Sequence, residues 1–235
     1  MTAFDQASPA TRREASRRRR GATAPLLPPA VAYAVLTVAG VVLPSALAGE
    51  APYSSDAALL DFYAHHAGEA HLSAFLLLAS AVPFVVFTAI AAHRIRVLGL
   101  DVPGRLIALA GGVVAAALLA LAGLATLALT QPHVADSPAV VRALSGLAFA
   151  AGGPEFVVFS GLLLAGISVP VLVGRFAPRW VGWFGVIVAV VCELATLTAL
   201  TGALDPLLPI GRFGGLVWLL AVAVTLPARR VRRAS

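Results

Sequence analysis

The chain has 235 residues, of which 60% are hydrophobic and only 12% charged, with a formal net charge of +6. Soluble domains carry about 25% charged residues, so half that share, set among recurrent long apolar runs, excludes an ordinary soluble domain and indicates a multi-pass membrane protein. One cysteine, Cys192, excludes a disulfide framework and a cysteine-based metal site.

The first 25 residues are polar and arginine-rich and read as a disordered cytoplasmic tail. Arg17 to Arg20 read as a topology anchor that attracts anionic lipid head groups. Ala46-Leu47-Ala48 resembles a signal-peptide cleavage site, but the preceding apolar stretch exceeds the usual core of about 7–15 residues, so an uncleaved first span is expected. All seventeen basic residues are arginine, and with abundant Ala, Gly and Val this composition reads as GC-rich bacterial coding.

Six helical spans follow, over residues 29–48, 71–92, 105–130, 150–173, 181–203 and 211–228. Each is long enough for a hydrocarbon core of about 30 Å at about 1.5 Å per residue. The runs do not alternate as barrel strands do, so the expected fold is an all-α bundle over 26–228 with a basic tail at 229–235. With a cytoplasmic N-terminus, fifteen of the seventeen arginines fall on the inner side, and only Arg142 and Arg212 fall outside. That bias fits an even number of spans with both termini inside the cell membrane. It also makes lipid, and not nucleic acid, the expected partner of the positive charge.

The first outer loop, 49–70, holds Ser54, Ser55 and Asp56 as helix-start signals and Gly68 as a stop, so a short helix is expected over 56–67. Leu59, Phe62, Tyr63 and His66 share one face, and the helix either lies on the outer interface or caps the bundle. Asp61 and His65 are one turn apart with Glu69 beyond, a weak metal-ligating pattern set against solvated polar residues. Trp180 and Trp183 flank an inner boundary, as an aromatic belt would.

Two carboxylates lie in apolar runs. Glu155 follows Gly152-Gly153-Pro154, and counting back from Arg175 puts it roughly 28 Å outward, near the outer face. Three geometries remain open there: one kinked helix from Ser137 to Val173, a true break with Glu155 in a first turn, or a re-entrant segment. Glu193 lies deeper, roughly 18 Å from the inner face, and is the harder charge to place. Glu155, Glu193, Arg142, Arg212 and His71 all map to the outer half, with His133. Three readings stay open: the lining of an outward-facing polar site, structural ion pairs such as Arg142 with Glu155, or residues alike in depth along the chain that do not meet in space. In the third span Ala108, Gly112, Ala116 and Ala120 recur every four residues, a small-residue stripe suited to close packing within the chain or to a homodimer.

The inner turn Ala92-His-Arg-Ile-Arg96, the run Arg175-Phe-Ala-Pro-Arg-Trp-Val-Gly182 leading into span five, and Arg212-Phe-Gly-Gly-Leu-Val-Trp218 in span six carry a resemblance. With six spans and a helical first outer loop, the chain resembles bacterial membrane proteins of the domain of unknown function 4386 type. The resemblance covers about residues 29–228 and implies a fold, with no activity and no site residues to carry over. The Gly-Gly-Pro-Glu break departs from that pattern. No Gly-x-Ser-x-Gly, His-Glu-x-x-His or phosphate-binding loop is present, and no cofactor is expected. The expected function is non-enzymatic: small-molecule or lipid binding, transport-like activity or an accessory role. The alternative is an intramembrane enzyme using Glu193 or the outer histidines.

Overall fold

A computed structural model describes residues 24–48, 56–100 and 102–228. The expectations for both tails and for the N-cap at Ser54 and Ser55 lie outside these residues. Within them the chain is helical and has no strand. Eight α-helices follow in order: α1 Leu27–Ala48, α2 Asp56–His65, α3 Ala67–Val97, α4 Gly104–Leu129, α5 Pro138–Ala150, α6 Phe156–Gly174, α7 Arg179–Leu194 and α8 Leu207–Thr225. Five runs are long and apolar enough to cross a membrane: α3, α4, Pro138–Gly174, Arg179–Thr198 and Gly202–Thr225. The described apolar part of α1, Leu27–Val42, is shorter.

Packing runs α1–α3–α4–α6–α7–α8, and α8 closes back on α1. The α6 helix also touches α3 and α8, so it lies towards the middle. The centre is aromatic: Tyr33 meets Phe84 at 4.8 Å between ring centroids, and Phe84 meets Phe156 at 5.6 Å. The outside is apolar too, with Val35, Val82, Leu106, Val169, Ile187 and Val224 exposed on six different helices. Large exposed side chains on every long helix are what a bilayer-facing surface needs and what a water-facing one avoids. Several hydroxyls are turned back onto their own helices, as with Thr88 to the Phe84 carbonyl at 3.0 Å and Thr225 to the Ala221 carbonyl at 2.6 Å. That local bond hides a polar group which an apolar surrounding would otherwise penalise.

Glycines set the helix spacing. A Cβ at Gly111 would lie 2.7 Å from the Phe159 carbonyl oxygen of α6, and one at Gly112 would strike Thr88 of α3. The small-residue stripe is therefore divided: Ala108 packs on α6 and Gly112 on α3, both buried. An i, i+4 row drifts around a helix with 3.6 residues per turn, so one stripe serves two neighbours.

The first outer loop contains its helix, but Gly68 does not stop it. Only His66 is non-helical between α2 and α3, and α3 begins at Ala67, four residues before the expected 71. A Cβ at Gly68 would meet nothing, so this glycine imposes no turn. Leu59, Phe62 and Tyr63 are buried against Ala70, Leu129 and Val141, which resolves the choice in favour of a cap.

The Gly-Gly-Pro-Glu segment is neither a break nor a re-entrant loop. Pro138–Gly174 is one helical run of 37 residues, with a π-helical turn at Ala151–Glu155. Pro154 has no N–H for the carbonyl one turn back, and its ring would crowd that carbonyl. Widening the turn relieves both, and the Phe156 N–H reaches the Ala151 carbonyl, five residues back. Glu155 is thus an exposed residue within a continuous helix, not a first-turn residue.

Trp218 is fully buried and donates its indole N–H to the Val181 carbonyl at 3.1 Å, joining α8 to α7. Gly185 leaves it room, since a Cβ there would meet both Trp218 Nε1 and the Ser168 hydroxyl. Trp218→Phe keeps an aromatic but loses volume and the donor. The expected cost is about 2–3 kcal/mol of stability, read from equilibrium unfolding in a fixed detergent. Trp180 and Trp183, by contrast, are exposed at the start of α7.

Candidate functional site

One end of the bundle holds a cavity of about 470 Å³. Gly40 and Val41 of α1 line it, with Ser73 and Leu77 of α3 and Leu119 and Thr126 of α4. Gly152 and Gly153 of the π turn form another part of the wall. Leu208, Arg212 and Phe213 of α8 complete it, and Phe62 and Tyr63 of α2 roof it. These two are only 8% and 4% exposed, so the roof is closed. Phe149 and Phe213 line the cavity yet are 47% and 40% exposed, so the opening lies beside α5 and α8.

The sequence explains the wall. Gly40 and Gly152 let the wall helices approach closely, since a Cβ there would lie 3.2 Å from Leu76 and 2.8 Å from the Ala122 side chain, and Pro154 widens the turn beside Gly152. A volume of this size falls within the roughly 300–1,000 Å³ of small-molecule sites, and a mostly apolar lining with few polar groups is their usual character.

Arg212 is the one charged residue among the described residues lining the cavity. It lies in the second turn of α8 and is half-buried, where the sequence put it at the outer start of span six. Its Nη2 donates to the Gly152 carbonyl at 2.8 Å, and its guanidinium sits 5.1 Å from the centroid of Phe156. The π turn thus supplies an acceptor as well as space. Nε is enclosed without a partner. Nη1 makes no hydrogen bond among the described residues and is not enclosed, so its N–H groups remain available on a residue that lines the cavity. Two of the lining hydroxyls are already committed as donors, Ser73 to the Gly40 carbonyl at 2.6 Å and Thr126 to the Ala122 carbonyl at 2.9 Å.

No protein-family model matches the chain, and neither a curated protein nor a solved structure does. The resemblance to the domain of unknown function 4386 type therefore adds nothing to this site, which rests on its own geometry.

Of the five residues grouped from the sequence, only Arg212 reaches the cavity. Glu155 is exposed on the π turn, and no ion pair joins it to Arg142, itself exposed on α5. His71 is also exposed, and its Nδ1 lies 3.1 Å from the Thr130 hydroxyl, linking the start of α3 to the end of α4. Glu193 is the penultimate residue of α7, whose run continues as a 3-10 turn over Ala195–Ala199. Its carboxylate lies over Gly161 of α6, where an added Cβ would be 3.0 Å from Oε1. The two acids therefore do not share the cavity. The pattern Asp61, His65 and Glu69 also separates: His65 pairs with Asp61 at 3.0 Å, while Glu69 lies 3.7 Å from His66. Among the described residues no group of three such ligands is suitably placed for a metal.

Sequence reasoning missed the cavity aromatics as site residues. Phe62 and Tyr63 were visible as one face of α2, but Phe213 read only as a span residue and Phe149 as part of the segment ahead of span four. Their common wall arises from helices far apart in the chain.

Proposed function

We propose that this chain is a six-span protein of the cell membrane, both termini cytoplasmic, that binds a small molecule or lipid without transforming it. It would act as a transport-like protein or an accessory subunit. The observation that carries this reading is the cavity, walled by separate helices and holding, among its described lining residues, one cation in a mostly apolar wall. Two features support the six spans. The α1 helix has 22 residues, about 33 Å of rise, and packs between α3 and α8 like the longer spans. The arginine bias fits an even count. On this reading α2 and the cavity are at the outer end.

Thr126→Phe fills the cavity while sacrificing only a hydroxyl bonded to its own helix. Native mass spectrometry of the full chain released from native-membrane nanodiscs should detect a retained small molecule or lipid. The variant should retain at least about tenfold less, with a melting temperature within a few degrees of the parent. Equal retention by both, or none by either, would refute the binding reading. A C-terminal fluorescent fusion active only outside the cytoplasm would refute the topology.

A further inference from the structure

We infer that the cavity takes an amphiphile with a single anionic head group, and that Arg212 receives the head. This deepens the binding proposal above and rests on it.

A guanidinium does not lose its proton in proteins, so Arg212 stays a cation wherever it is placed. Among the described residues lining the cavity there is no carboxylate to balance it. What surrounds it is one backbone carbonyl, that of Gly152, the face of Phe156 and the nearby buried phenol of Tyr33, which is neutral at physiological pH. A carbonyl dipole and a ring quadrupole are partial charges, and neither neutralises a whole one. Residues such as Glu155 and Glu193, which have the right sign, face elsewhere. An unbalanced cation in an apolar span is costly, and a ligand anion is the species that reduces that cost most.

The geometry directs the head group to one place. Nη2 is held by Gly152, and Nε is enclosed, so Nη1 is the donor this lining residue has left for a ligand. Its partner must be an acceptor carrying negative charge, a carboxylate or phosphate oxygen, because charge-assisted bonds are about twice as strong as neutral ones. The remaining wall selects the rest of the molecule. Leu77, Leu119, Phe149, Val157, Leu208 and Phe213 offer no group to a polar body and suit an alkyl chain. The opening beside Phe149 and Phe213 lies on an apolar flank of the bundle, where acyl chains would lie on the membrane reading. An amphiphile enters by that route tail and head together, without first crossing water.

The shared chemistry is one negative head on an apolar chain, from either a soluble fatty acid or an anionic lipid. The test uses the full chain in nanodiscs of phosphatidylcholine, with decanoate, decyl phosphate and decanol as probes and calorimetry as the readout. Decanoate and decyl phosphate should bind at least about tenfold more tightly than decanol. Arg212→Gln should reduce that preference to within about threefold, and Arg212→Lys should keep an intermediate one. The melting temperature of each variant, measured without ligand, separates lost binding from lost folding, and Arg212→Lys keeps the test decisive if Arg212→Gln does not fold. Discs doped with phosphatidylglycerol distinguish the sources. If that lipid weakens decanoate binding, the head group comes from the bilayer; if it does not, the ligand is soluble, and either result upholds an anionic head. Decanol binding as tightly as decanoate would overturn the inference while leaving the cavity a binding site. No probe binding at all would overturn both.

Discussion

Arg94→Ala should lower the unfolding free energy by about 3–4 kcal/mol in a fixed detergent, with Arg94→Lys recovering less than half of the loss. Arg94 is 4% exposed near the end of α3. Its Nη1 donates to the Leu226 carbonyl at 2.6 Å and its Nη2 to the Ala24 carbonyl at 2.7 Å. One side chain thus ties the segment before α1 and the end of α8 to α3. The Leu226 carbonyl follows the C-terminus of α8, where a cation is favoured by the helix dipole. Hydrogen bonds to charged groups contribute about 1.5–3 kcal/mol each, and alanine would leave two carbonyls without donors. Lysine has a single ammonium and lacks the planar fork that spans two acceptors. Equilibrium unfolding followed by tryptophan fluorescence reads the effect, and a loss below about 1 kcal/mol would rule out the clasp.

Gly166→Ala should cost about 3 kcal/mol, a large effect for one methyl group. At this position α4 and α6 cross backbone to backbone. A Cβ on Gly166 would meet the Gly104 carbonyl and lie 2.6 Å from the Ala108 nitrogen. Neither is the flexible end of a side chain, so the helices themselves must separate. The crossing is reciprocal, since a Cβ on Gly104 would lie 3.0 Å from the Gly166 carbonyl oxygen. Pro170 gives that carbonyl no N–H, which leaves it turned towards the partner helix. Overpacking usually costs about 1–3 kcal/mol, and a rigid backbone contact belongs at the top of that range. Gly146→Ala is the control: a Cβ there meets nothing within 4 Å, so stability should rise by up to about 1 kcal/mol through helix propensity alone. If both substitutions behaved alike in unfolding experiments, the close crossing would not be what holds α4 to α6.

Long helices were legible because hydrophobic length is a one-dimensional property. The expected spans at 105–130 and 150–173 end within a residue of α4 and α6 at most of their boundaries. The short outer helix was legible from its start signal and its 59, 62, 63 face. Its far end was not, because Gly68 looks like a stop in sequence and is an ordinary helical residue in space. The division of the small-residue stripe was equally hidden, since which neighbour a face meets depends on the rotation of two helices.

The polar residues show the same boundary. The sequence by itself determined an all-helical, apolar chain, with arginine concentrated at span ends and a proline-glycine disturbance ahead of Glu155. Helical rise along a span gives the depth of Glu155, Glu193 and Arg212, but not the direction in which each side chain points. Only the tertiary structure turned Arg212 inward onto the Gly152 carbonyl, left Glu155 and Glu193 on the outside, and made Arg94 a clasp instead of a loop charge. Depth follows from counting residues; facing follows from how six helices pack, because a shift of one residue turns a side chain by about 100° around its helix.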